Sequence, residues 1–180
     1  SVESLTRSAA DAVDTIELEA ADESARQVPA SMLELLLPPE ARDAYLQRAR
    51  EILEGRRTPL LGISVRRYLP DAYSALRWAR QEWAGIEIRF GRKSTLGACV
   101  AAAEVRRALL EAALGLGGSF PIRDLRDTSR QQLETCYPMA AAFLADKRRS
   151  DPGERLQNAW YRKLVTVMRS EPCAVRWAKG

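Results

Sequence analysis

The sequence contains no histidine in its 180 residues. The one side chain whose ordinary pKa lies near neutrality is therefore missing. With it go every histidine-based triad, cysteine–histidine dyad and histidine-ligated metal site. Cysteine is scarce: Cys99, Cys136 and Cys173 are the only three, and none belongs to a C-x-x-C pair. Neither a zinc knuckle nor a dithiol redox site is supported, and all three read as small buried apolar residues. No apolar run approaches the roughly 18 residues of a membrane span. The first residues lack the basic-then-apolar layout of a signal peptide, so the expectation is a cytoplasmic protein with no cofactor, no metal and no membrane partner.

What is present is ordinary for a globule: 46% hydrophobic and 29% charged residues. A chain of this length hides about 70% of its unfolded surface on folding and needs no staples. The charge is unevenly placed. Residues 1–30 carry seven acids against Arg7 and Arg26, a net −5, so the overall +4 leaves +9 on the remainder. The expected organisation is an acidic amphipathic helix or arm over 1–30, followed by a single basic α-helical domain over 31–180. A basic body behind an acidic arm suits a polyanion, because the arm can compete for the binding face. The excess of arginine, 24 of the 28 cations, also fits a GC-rich genome.

The periodicity predicts helices almost throughout. Val2, Leu5, Ala9, Ala12, Val13 and Ile16 form a stripe over residues 2–20. Residues 28–39 read as a linker or short helix, and Glu40–Glu54 as a helix stopped by Gly55. Residues 58–67 are either a short strand or a buried loop. Pro70-Asp71 opens a helix to about Ala84, with Trp78 opposite its buried side. Ile86-Glu87-Ile88-Arg89-Phe90 alternates as a strand, which must pair with 60–65, pair with another chain, or not form. Ser94–Leu114 is a long helix with Leu96, Cys99, Val100, Ala103, Leu110 and Leu114 on its buried stripe and Arg107 pointing into it. A polar helix after Pro121, an alanine-rich helix over 139–149 and a last helix capped by Asp151, Pro152 and Glu154 complete the chain. The last buries Leu156, Trp160, Leu164, Val167 and Met168, and the tail keeps Trp177 for docking or for a partner. The expected fold is all-α, a compact bundle of about five to seven helices with at most one short β-hairpin.

The richest window is 66–93, with seven cations, three acids and five of the twelve aromatics. Guanidinium groups neutralise phosphates while flat rings accept bases. Arg66, Arg67, Arg77, Arg80, Arg92 and Lys93 are the expected phosphate contacts, and Trp78 is the stacking candidate. Gly91-Arg92-Lys93-Ser94-Thr95 leads into a helix, where free N–H groups and cations converge on an anion. Its spacing fails the G-x4-G-K-[ST] pattern of a nucleotide-binding loop, and Ser94 or Thr95 as a plain helix cap is the simpler alternative. Arg123, Arg126 and Arg130 interleave with Asp124 and Asp127, as on a solvated salt-bridged face. For an enzyme only Lys93 with Ser94, scattered carboxylates such as Asp71 and Glu87, and the thiols remain. The sequence thus points to a non-catalytic, nucleic-acid-binding accessory subunit of a larger nucleoprotein assembly. It would contact RNA or single-stranded nucleic acid through the backbone, largely independently of sequence, beside other protein subunits. The alternative is a helical scaffold or adaptor with an exposed apolar groove.

Overall fold

A computed structural model describes residues 16–19, 30–92 and 94–170. The chain divides into two packed units: residues through Asp71 together with Ala79–Pro121, and Ala72–Trp78 together with Ile122 onward. The first unit holds strands β1 (Ile16–Glu19), β2 (Ala30–Leu37), β3 (Leu60–Tyr68) and β4 (Trp83–Gly91), with helices α1 (Arg42–Gly55) and α2 (Leu96–Gly115). The second holds α3 (Arg130–Cys136), α4 (Ala140–Ser150) and α5 (Ala159–Arg169).

The strands form one antiparallel sheet in the order β1-β3-β4-β2. β2 and β3 are joined through α1 and run parallel with β4 between them, a split β-α-β arrangement. After α2 the chain returns to the outer edge of β2, where Leu36 and Ser119 exchange N–H···O bonds of 2.9 and 2.7 Å. Alternation along each strand sorts the side chains onto two faces. Leu33, Leu35, Ile86, Ile88 and Phe90 lie towards α2 and are buried. Arg106 of α2 reaches the same face and donates to the Ser31 hydroxyl at 2.9 Å. Ala102, Val105, Leu109 and Ala113 form the buried side of α2, and Tyr45 of α1 packs there with its hydroxyl 3.4 Å from the Leu109 carbonyl.

In the second unit, Ser129 and Gln132 form a capping box at the start of α3, and Asn158 caps α5 through the Tyr161 N–H at 2.7 Å. Leu133, Cys136, Ala140, Leu144, Leu164 and Val167 form its core.

The all-α helical bundle expected from the sequence is wrong: five α-helices accompany a sheet of three full strands with the short β1 on its edge. Residues 30–37 form a strand rather than a linker. Leu35, Leu36 and Leu37 are all buried, and Ser31 and Glu34 are buried polar residues on opposite faces, so no apolar–polar alternation marks the strand. The helix expected from Pro70 to Ala84 is absent, because Trp83 and Ala84 are taken into β4, and the Asp71 N–H closes the connecting loop onto Ala79 O at 2.7 Å. Asp151 does not start the last helix. Its carboxylate accepts from the Arg155 and Leu156 N–H groups in a loop of its own, Leu156 is exposed, and α5 begins only at Ala159. The polar helix after Pro121 shrinks to α3. The 2–20 helix lies mostly outside the described residues, and where Ile16–Glu19 is described it is a strand. The buried stripe of α2 is rotated from the expected one: Leu110 is buried as expected, but Leu96, Cys99, Val100 and Arg107 are exposed. The pairing of Ile86–Phe90 with 60–65, the helix ending at Gly55 and the 139–149 helix agree with the sequence.

Candidate functional site

The sheet face turned away from α2 is where the sequence does something unusual. Positions that would ordinarily be apolar or freely solvated carry Glu34 on β2, Ser64, Arg66 and Tyr68 on β3, and Trp83, Glu87 and Arg89 on β4. Register brings them together. Glu87 lies between Glu34 on one neighbouring strand and Ser64 on the other. One row towards the start of β4, Gly85 lies between Leu36 and Arg66; one row further along, Arg89 lies between Met32 and Gly62.

Two like charges directly opposite on adjacent strands repel, so the Glu34–Glu87 pair needs compensation. The Tyr68 hydroxyl donates to Glu34 Oε1 at 2.5 Å, and Arg66 Nη1 lies 3.9 Å from Glu87 Oε2. Interaction with the Tyr68 oxygen, and then with the Glu87 carboxylate, raises the Arg66 guanidinium above its ordinary pKa. Burial, and then the bond to Glu34, push the Tyr68 hydroxyl above the ordinary tyrosine range. A bond from Tyr68 on β3 to Glu34 on β2 therefore crosses over β4, with Arg66 and Glu87 on the same face. Glycines seat the flat groups of this face. A Cβ at Gly85 would come within 2.2 Å of Tyr68 Cε2, and one at Gly62 within 3.0 Å of Arg89 Nη2. The face is not fully open: Glu34 and Ser64 are each 6% exposed and Trp83 is 3% exposed. The Ser64 hydroxyl and the Trp83 indole N–H have no hydrogen-bond partner among the described residues. Leaving such a buried group unpaired costs about 1–3 kcal/mol, so both are notable in a folded protein.

The expected basic track is only partly assembled. Arg66 lies on the sheet face, 3.9 Å from the Glu87 carboxylate. Arg67 points to the other face and is held bidentately by Glu82, both contacts at 2.8 Å. Arg77 and Trp78 belong to the second unit, and Trp78 is half-buried in a loop rather than exposed on a helix. Arg80 is exposed and carries no ion pair among the described residues. Arg92 donates to Cys99 Sγ at 3.1 Å. Lys93 lies outside the described residues. Ser94 is exposed, and Thr95 is the N-cap of α2, accepting from the Ala98 N–H at 3.2 Å. Arg126 and Arg130 are tied to Asp124 and Glu134, as on a solvated face. A continuous basic face is thus not what the geometry supports. Of the cysteines, Cys136 is buried as expected, Cys99 is exposed, and Cys173 lies outside the described residues.

Sequence reasoning missed Glu34, Ser64, Arg89 and the polar role of Trp83. The signal was available in part, since Ile86–Phe90 alternation already places Glu87 and Arg89 on one side. Without β2 and β3 as partners, nothing showed that this side was a site. Neither a family model nor a curated protein matches this chain. Among the described residues no group of three or more histidine, cysteine, aspartate or glutamate side chains converges as a metal cage, and no helix is long and apolar enough to cross a membrane.

Proposed function

We propose that the face bearing Glu34, Ser64, Arg66, Glu87 and Arg89 binds a small, uncharged molecule rich in hydroxyl groups. One observation carries this: two carboxylates and two guanidiniums, formally neutral together, interleave on one half-buried face. Carboxylates accept from ligand hydroxyls and guanidiniums donate to them, so a compound with many O–H groups satisfies both. An anion would meet Glu34 and Glu87, and a cation Arg66 and Arg89. A purely structural role is the competing account, but buried ionic networks hold a fold together no better than apolar packing of equal volume.

The test is a titration of the full chain with neutral polyols and monosaccharides and with their carboxylate and amine analogues, read by tryptophan fluorescence and calorimetry. Saturable binding of the neutral compounds is expected, weakened about tenfold or more in Glu87→Gln and Arg89→Gln, since each removes a charge-assisted hydrogen bond. Equal affinity in wild type and both variants, or no neutral ligand at millimolar concentration, rejects the proposal.

The phosphate-backbone function is the second reading, supported by Arg80 and Arg57, which are exposed and without an acidic partner among the described residues. Its measure is the 260/280 nm absorbance ratio of purified protein before and after a high-salt wash. It also requires binding to single-stranded RNA or DNA that falls steeply with salt.

A further inference from the structure

A different region of the first unit carries a second ligand site. Where β4 ends and α2 begins, a cleft of about 340 Å³ opens between α2 and the turn that joins α1 to β3. Its floor is apolar, built from Phe90, Ala102 and Val105, and Arg56, Arg57 and Arg92 line it. We infer that this cleft binds a small amphipathic anion: a short apolar body on the floor, with a carboxylate or phosphate head held by the arginines.

The arginines are poorly neutralised. Arg56 Nη1 reaches Glu104 only at 3.8 Å, Arg92 donates to the thiol of Cys99, and Arg57 has no side-chain partner among the described residues. A thiol is a weak acceptor, which a ligand oxyanion would displace. Arg57 adds an independent observation. It closes α1 in the left-handed conformation, at φ 50°, where its neighbour's N–H (Thr58) returns to Leu53 O at 2.9 Å. That position ordinarily belongs to glycine or asparagine, because a Cβ there is strained. An arginine in its place keeps a guanidinium on the cleft at the expense of backbone strain. The volume lies at the lower end for ligand sites, which excludes a nucleotide with both base and phosphates buried and fits a ligand of modest length. The three cations select the head group, and the apolar floor selects against a bare ion.

The experiment is calorimetric titration of the full chain with octanoate, phenyl phosphate, inorganic phosphate and octanol. Octanoate or phenyl phosphate binds saturably, and comparing the two tells a carboxylate head from a phosphate head. Inorganic phosphate and octanol each bind at least about tenfold more weakly than the better of the two, since each lacks half of the recognised chemistry. Arg57→Gly and Arg92→Gln each lower the affinity about ten- to a hundredfold, as loss of a charge-assisted contact does. Arg57→Gly relieves backbone strain, so its loss of affinity with unchanged or raised thermal stability separates a ligand role from misfolding. Unchanged affinity in both variants, or inorganic phosphate or octanol binding as tightly as the better of octanoate and phenyl phosphate, overturns the inference. So does the absence of binding by octanoate and phenyl phosphate. The sheet-face proposal is untouched by any of these results, because no residue is shared.

Discussion

The ring of Tyr68 lies on Gly85 and hands its proton towards Glu34, so three residues from three strands depend on one another. Gly85→Ala puts a methyl where the ring sits, and Tyr68 must swing away. Overpacking of this kind costs about 1–3 kcal/mol, and the glutamate also loses its donor. A double-mutant cycle of Glu34→Gln and Tyr68→Phe in urea denaturation should give a coupling of about 1–3 kcal/mol. Additive effects would mean that the bond contributes nothing. The tyrosines also set an alkaline limit. Burial pushes the Tyr45 hydroxyl far above its ordinary value, and Tyr68 is raised too. Both groups keep their protons in the folded state at pH values where the unfolded chain has lost them. Their contribution is therefore complete below about pH 10, and stability falls as the pH rises beyond it. Tyr45→Phe should flatten that decline in a urea midpoint measured against pH.

Among the elements, the loop from Asp151 to Asn158 shows a local signal put to another use. Asp151 accepts from Lys147 at the end of α4 and from the Leu156 and Arg155 N–H groups beyond it. These bonds, the lysine's first, lower its pKa to about 2. A depressed carboxylate stabilises the fold above its unfolded pKa of about 4, and that stabilisation disappears as the pH falls towards 2. Asp151→Asn should lower the urea midpoint at neutral pH and remove the part of the acid transition between those values. A variant curve parallel to wild type throughout would contradict this. The same aspartate looked like a helix cap in the sequence because Asp-Pro-x-Glu is what a helix start requires. The loop instead satisfies its own N–H groups, and α5 starts where Asn158 offers a second cap and Tyr161, Leu164 and Val167 find a core.

Across the whole molecule, two separate cores imply two separate stabilities. Leu164 is fully buried in the second unit, and Leu164→Ala should cost about 2–5 kcal/mol. Native-state hydrogen exchange should then show the loss in α3, α4 and α5 while the β3–β4 amides keep their protection. Equal loss in both would show that the units unfold as one. The surface charges add little to either unit. Arg48–Glu51, Arg50–Glu54 and Arg130–Glu134 are exposed pairs on single helices, each worth about 0–1 kcal/mol.

The sequence by itself determined the elements whose patterns are local: the helix ending at Gly55, the long alanine-rich helix and the alternating strand at Ile86–Phe90. Local patterns also excluded histidine chemistry outright, since an absent side chain needs no fold to be absent. Tertiary structure alone decided that Ala30–Leu37 is a strand, because its polar Ser31 and Glu34 fall on opposite faces and Leu35, Leu36 and Leu37 follow one another without alternation. It alone decided the site as well. Glu34 lies some fifty residues from Glu87 in the chain, and only antiparallel pairing, which fixes which residues stand opposite, sets them side by side.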